Sequence, residues 1–342
     1  MVSLMDVAKA AGVTKMTVSN VINGKAGRVS AATQARVLAV VAELGYEPNA
    51  NARALSTARS EIIALVFLGD RDEGQSPLTN PHYADLLDEI ERGVAARGKQ
   101  LMVHFSNDVT TTVAAMRSWN VDGAILFGVN ATQVLQLRTA HRAPMVFIDA
   151  YGEGLVVSRL NDELGGRLAA ERLIAAGHRR IGFLGPETSD EPSVVSLRHA
   201  GYLAALAEHG VDDYDASRLL CEVNFGEARA LAADLLADAR GFTAFVTTAD
   251  VIAAGLIKGF ADVGLRVPDD ISLTGFDDTA LAEMVTPAIT TVHQDTAAKA
   301  GGAVDLLFDR MGGGESTLRV VDPWIVDRES VAPPRVRVVR AD

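Results

Sequence analysis

Apolar positions recur at helical spacing over the first 45 or so residues;. Val7, Ala8 and Ala11 mark one face of a short helix that Asp6 can cap and Gly12 ends;. Val18, Val21 and Ile22 mark a second, capped by Thr14 or Thr17;. A third, Ala31 to Leu44, follows the cap Ser30, is expected to bury Ala35, Val37, Leu38, Val41 and Leu44, and stops at Gly45. Two short helices meeting at a glycine-containing turn form a helix-turn-helix, whose second helix can lie in a DNA major groove. With Val18, Val21 and Ile22 turned inward, Lys15, Met16, Thr17, Ser19, Asn20 and Asn23 face outward, where polar groups can meet base edges and phosphates;.

From Glu61 the pattern changes to short apolar runs alternating with amphipathic stretches. Strand-like runs fall at Ile62–Leu68, Leu101–Phe105, Ala124–Phe127, Met145–Ile148, Val156–Ser158, Ile181–Leu184, Leu219–Val223, Ala244–Thr247, Ile271–Thr274 and Ile289–Val292. Helical stretches between them include Tyr83–Ala96, Glu163–Ala175, Leu197–Glu208, Gly226–Leu236 and Val251–Phe260. Such alternation implies parallel sheets covered on both faces, and the rhythm runs twice, so two doubly wound lobes are expected. A helix from Asp295 through Arg310 then precedes strands around Leu318–Val321 and Trp324–Val326.

Charge divides the chain in the same place. Residues 1–60 carry seven Lys/Arg against three Asp/Glu, whereas all 342 residues sum to −12, so a basic head precedes an acidic body;. The single cysteine, Cys221, excludes an intramolecular disulfide;. No apolar run is long enough to span a bilayer and no export leader is evident, so a cytoplasmic protein without membrane contact is expected;. Enzyme chemistry is not apparent: the seven histidines include no H-x-x-x-H pair, and there is neither a G-x-x-x-x-G-K-[ST] nor a G-x-G-x-x-G loop;. No metal and no cofactor are expected.

Asp6-Val7-Ala8-Lys9-Ala10-Ala11-Gly12-Val13, Thr17-Val18-Ser19, Gly45-Tyr46-Glu47-Pro48-Asn49 and Ala52-Arg53-Ala54-Leu55 together resemble the lac/purine repressor family of bacterial transcription regulators. The closing Val326-Asp327-Arg328-Glu329-Ser330 extends that resemblance to the end of the body. It implies a helix-turn-helix domain over 1–47, a hinge over 48–60 and an effector-binding, dimerising, periplasmic-binding-protein-like body over 61–342. The body's lobes would be about 61–160 with 293–325, and 161–292 with 326–340. The partners implied are double-stranded operator DNA, a small-molecule effector, most simply a carbohydrate, and a second copy of the chain. No heptad array follows the body, which favours a dimer;.

Residue by residue, the implied DNA contacts are Thr14, Lys15, Met16, Thr17, Ser19, Asn20, Asn23, Arg28, Ser30, Thr33, Tyr46, Asn49, Arg53 and Leu55. Leu55 would wedge between base steps in the minor groove, with Arg53 alongside. The implied ligand contacts are His82, Tyr83, Asp149, Arg198, Phe225, Asp250 and Asp277, most of them just beyond strand ends, where open α/β sheets bind ligands;. Capping a following helix is the competing role for Asp250 and for Asp278. Asn20 stands where the family usually has arginine, so an A·T pair is expected where relatives read G·C. Ala249 stands where relatives carry a polar residue, which removes one ligand contact. A solute-binding module without DNA is the alternative function.

Overall fold

The structure is a computed structural model and describes residues 2–24, 29–46, 59–69, 77–187, 191–211, 218–238 and 241–335. Arg28, Asn49, Arg53, Leu55, most of the expected hinge and the charged Asp70–Glu73 lie outside them. Contacts divide the chain into two units, Met1–Glu61 with Trp119–Asp122, and Ile62–Ser118 with Gly123–Asp342.

In the first unit three helices, α1 (Leu4–Ala11), α2 (Lys15–Ile22) and α3 (Ala31–Leu44), enclose Val7, Ala8, Ala11, Val18, Val21 and Val37. Ser3, not Asp6, caps α1. The Asp6 N–H donates to Ser3 Oγ, and the Asp6 carboxylate takes the Ser3 N–H at 2.9 Å, a reciprocal capping box;. Gly12 and Gly45 end α1 and α3 in the left-handed conformation that glycine adopts without a Cβ penalty;. The inward face of α3 also differs from expectation. Val37 is buried with Val40, Val41 and Leu44 packed beside it, whereas Ala35 is exposed and Leu38 is 49% exposed. One valine sets the stripe, and three- and four-residue steps from it miss 35 and 38.

The second unit alternates strand and helix: β1 (Ile62–Leu68), α4 (Pro81–Ala95), β2 (Gln100–Ser106), α5 (Val109–Ser118), β3 (Gly123–Phe127), α6 (Ala131–Ala140), β4 (Met145–Ile148) and β5 (Val157–Leu160). It continues with α7 (Asp162–Ala175), β6 (Ile181–Gly185), α8 (Val194–Glu208), β7 (Arg218–Leu220), α9 (Phe225–Ala237), β8 (Ala244–Thr247), α10 (Asp250–Asp262), β9 (Ser272–Asp277), α11 (Ala280–Met284) and β10 (Thr291–His293). It ends with α12 (Thr296–Met311), β11 (Leu318–Val321) and β12 (Trp324–Val326). Two six-stranded sheets result, ordered β11-β5-β4-β3-β1-β2 and β12-β10-β9-β8-β6-β7, parallel except where β12 runs against β10. Runs such as Ile63–Leu68 are buried throughout, as parallel strands covered on both faces must be;. The chain passes between the sheets three times, after β5, after β10 and after β11.

The strand expected over Leu219–Val223 is shorter, because the chain turns where the Asn224 N–H reaches Glu222 O at 2.6 Å and Asn224 then caps α9. Phe225 therefore opens a helix rather than closing a strand. Helices α7 and α8 cross closely because Gly166 and Gly201 face each other's backbones: a Cβ on Gly166 would sit 1.8 Å from Arg198 O, and one on Gly201 1.8 Å from Glu163 O. That crossing sets Arg198 beside the start of α7. No helix among the described residues is long and apolar enough to cross a membrane.

Candidate functional site

Two regions gather candidate residues, and each is built by its own unit. In the three-helix unit Thr14 caps α2 by accepting the Thr17 N–H at 3.1 Å, and Ser30 caps α3 by accepting the Thr33 N–H. These caps set a cavity of about 430 Å³ lined in part by Thr14, Met16, Thr17, Asn20, Ser30 and Thr33. Met16 is 73% exposed, an apolar end left to water on a helix too short to hide it. Lys15 and Asn23 are exposed outside that cavity, and Ser19 accepts a hydrogen bond from Asn23 Nδ2 at 3.2 Å. The Asn20 side chain makes no hydrogen bond among the described residues, leaving its amide free to pair outward;. Tyr46 packs against the helical core.

In the second unit the site lies beyond the carboxyl ends of the strands, at the passages between sheets. Asp149 follows β4 and Asp277 ends β9, and both have positive φ, 53° and 112°. Non-glycine residues in such conformations are strained and must be held by their surroundings. Here they are held by a hydrogen-bonded chain. Lys299 Nζ donates to Asp149 Oδ2 at 2.6 Å and to Gln294 Oε1 at 2.8 Å, and Gln294 Nε2 donates to Asp277 Oδ1 at 2.6 Å. Lys299 is fully buried, a charge tolerable only because it is paired;.

A second chain runs parallel to the first. Tyr151 OH donates to Asp162 Oδ2 at 2.6 Å, and Arg198 Nε to Asp162 Oδ1 at 2.8 Å. Arg198 Nη1 also donates to Thr248 O at 2.8 Å, and the guanidinium lies 3.5 Å over the Phe276 ring. Both chains start in the first lobe, follow a crossover segment and end in the second.

Burial pushes Asp277 up to about 7, against the pull of Arg198, Gln294 and Lys299. Burial likewise raises Asp162, against Arg198. Burial disfavours the Arg198 charge, but Asp162 and Asp277 outweigh it and the group is held above its ordinary range. His82, in the first turn of α4, is buried, and burial, then Lys299 and Arg198, hold it well below 6.5. Its Nε2 lies 3.5 Å from Lys299 Nζ, while its Nδ1 is buried without a partner. Tyr83 packs edge-on to Phe127 at 4.9 Å, and burial, then Asp277 and Asp149, push its phenol up to about 12. His82, Tyr83, Asp149, Arg198 and Asp277 thus share one electrostatic neighbourhood.

The remaining two candidates are placed differently. Asp250, at the start of α10, is fully buried; Oδ1 accepts from Thr291 Oγ1 at 2.6 Å and Oδ2 from the Thr279 N–H at 2.9 Å. Burial and the nearby Asp277 raise its carboxyl well above the usual range. Phe225 is 43% exposed, and its ring makes no aromatic contact with the cluster. Asp278 pairs with His293 at 2.7 Å and with Arg328. Ala249 stands at the N-cap of α10 and makes no side-chain cap.

Sequence reasoning missed Asp162, Lys299, Gln294 and Tyr151. Asp162 carries the same signal as Asp149, a carboxylate just past a strand, but reads as the first turn of a helix. Lys299 sits within the apolar stripe Ala300, Ala303, Val304 and Leu307, where a lysine is out of place;. Among the described residues no three His, Cys, Asp or Glu side chains are placed to hold a metal ion.

The chain matches two known families: bacterial regulatory proteins of the lacI family over residues 3–49, and the periplasmic binding protein-like domain over residues 170–331. It is 31% identical to the HTH-type transcriptional repressor PurR of Photobacterium profundum, over 97% of this chain and 99% of that protein. It is 30% identical to the ribose operon repressor of Escherichia coli, over 91% and 93%. Its fold aligns with the crystal structure of the lac repressor dimer bound to operator and the anti-inducer ONPF at a TM-score of 0.86, with 27% identity over 97% of this chain and 99% of that one.

Proposed function

The chain belongs to the lacI family of bacterial regulatory proteins, and from that premise we propose how its own residues carry the family's work. It is a DNA-binding transcription regulator that acts as a homodimer on operator DNA under the control of a small-molecule effector. The finer reading is a cytoplasmic repressor without catalytic activity. Thr14, Lys15, Met16, Thr17, Ser19, Asn20, Asn23, Ser30 and Thr33 read and anchor the half-site, with Arg28, Tyr46 and Asn49 on phosphates. Arg53 and Leu55 enter the central minor groove.

The effector is a neutral polyol or sugar held by Asp149, Arg198 and Asp277, with His82, Tyr83 and Phe225 beside it and Asp250 behind. The observation that carries this reading is the pair of hydrogen-bonded chains between the lobes. Asp149 and Asp277 each accept from a protein donor that a ligand hydroxyl can replace, and the buried His82 Nδ1 offers an unused polar atom;. A ligand that trades these contacts favours one lobe arrangement over the other, which is the only way it can shift operator affinity.

Gel shift of the full-length protein on operator-like duplexes, with and without a panel of sugars, polyols and nucleosides, is the test. Sequence-dependent retardation altered by at least one compound is expected. Retardation with no sequence preference under any condition overturns the DNA assignment. Retardation that no compound alters overturns the cleft assignment.

A further inference from the structure

Away from the cleft, at the opposite end of β4, the first lobe has a cavity of about 540 Å³ walled by Arg138, His141, Arg142 and Arg310. Its apolar surface includes Pro144 and Val156. None of the three arginines forms an ion pair among the described residues, in a chain whose net charge is −12. Arg138 and Arg310, both exposed, each spend one Nη1 on a backbone carbonyl, Gly154 O at 3.1 Å and Gly314 O at 3.2 Å, which leaves their other N–H groups uncommitted;. Arg142, in the loop before β4, makes no side-chain hydrogen bond among the described residues.

Arg138 and Arg310 sit in the last turns of α6 and α12, whose C-termini each carry about half a negative charge, and the Asp309 carboxylate at the end of α12 is engaged by the Ser316 N–H at 3.1 Å rather than by an arginine;. His141 adds a donor rather than a charge. Burial, then Arg117, lowers its pKa. Its Nδ1 accepts the Ala143 N–H at 3.1 Å, so the neutral ring carries its proton on Nε2;.

We propose that this cavity is a second binding site, for a phosphomonoester. A phosphomonoester carries about −1.5 to −2 at neutral pH and presents three strong acceptor oxygens, enough to engage all three guanidiniums, whereas a carboxylate presents two. Guanidinium forks pair with phosphate oxygens two at a time, and three of them around one cavity can share a single phosphate. The Pro144 and Val156 surface would take the organic part of the ligand, which inorganic phosphate lacks. The site uses no residue of the cleft, so it offers a second small-molecule input to the same lobe.

Calorimetric titration of the full-length protein without DNA, using glucose 6-phosphate, inorganic phosphate and glucose, tests this. Glucose 6-phosphate is expected to bind more tightly than inorganic phosphate. Arg142→Ala, at an exposed loop position, should weaken that binding by about tenfold or more, and Arg142→Glu should abolish it. Asp277→Asn in the cleft should leave it intact, which separates this site from the effector reading. Glucose 6-phosphate affinity unchanged in both Arg142 variants, or lost in Asp277→Asn, overturns the proposal. So does an Arg142→Glu protein that loses affinity for a random duplex yet keeps its phosphate binding, since the occupant would then be the DNA backbone.

Discussion

Asp277 is the residue at which protonation and the proposed effector contact meet. Burial lifts its carboxyl to about 7, so between the unfolded value of 3.8 and about 7 the folded state holds a proton that the unfolded state has lost;. Its contribution to stability is therefore complete below 3.8 and is lost as the pH rises through about 7;. Asp162 and Asp250, also raised, act in the same sense. His82 opposes them: held neutral below its ordinary 6.5, it costs stability as the pH falls;. Melting temperatures of Asp277→Asn should accordingly fall less than those of the wild type between pH 5 and pH 8; parallel curves would contradict the assignment. Lys299→Met is expected to cost about 3–5 kcal/mol, because it leaves Asp149 buried without its cation;. Urea unfolding measures it, and a loss below 1 kcal/mol would mean that water replaces the lysine.

Asn20 was legible as a departure from the family because the motif around it is unbroken, and its free amide suits the N6/N7 edge of adenine. Asn20→Arg should move the preferred base at its position from adenine to guanine in a selection from random DNA. A preference that does not move would place recognition on Lys15 and Met16. The carboxylates Asp149 and Asp277 were legible because each ends a strand. The residues that bind them were not, because Gln294 and Lys299 lie in a segment whose importance comes from passing between sheets, a property of topology that local pattern does not carry.

At the level of elements, closeness rather than propensity decides the geometry. Helices α7 and α8 approach through Gly166 and Gly201, and this brings Arg198 onto Asp162. Gly166→Ala would push its methyl into Arg198 O and should cost about 1–3 kcal/mol of stability, more if the backbone cannot shift;. It should also weaken effector binding, as titration of the folded variant would register; unchanged binding would show that the crossing can widen without moving the guanidinium. The helices and strands themselves were largely readable, since the parallel strands are short, continuous apolar runs bounded by turn residues. The exception at α3 has a simple cause. Five alanines and five other apolar residues between 31 and 44 leave several stripes of similar hydrophobicity, and only packing against α1 and α2 selects Val37, Val40, Val41 and Leu44.

At the scale of the molecule, neither lobe is a continuous stretch of chain. The first sheet needs β11 for its outer edge and α12 for its cover, and the second needs β12, all drawn from residues 296–326. During synthesis the earlier strands must therefore wait, with Ile63, Leu65 and Val146 missing the Ala300–Leu307 face, until α12 has been made;. A premature stop between α7 and α12 would yield no half-sized survivor able to sense a metabolite, only a chain whose first sheet lacks its Ala300–Leu307 cover, for proteases to clear;.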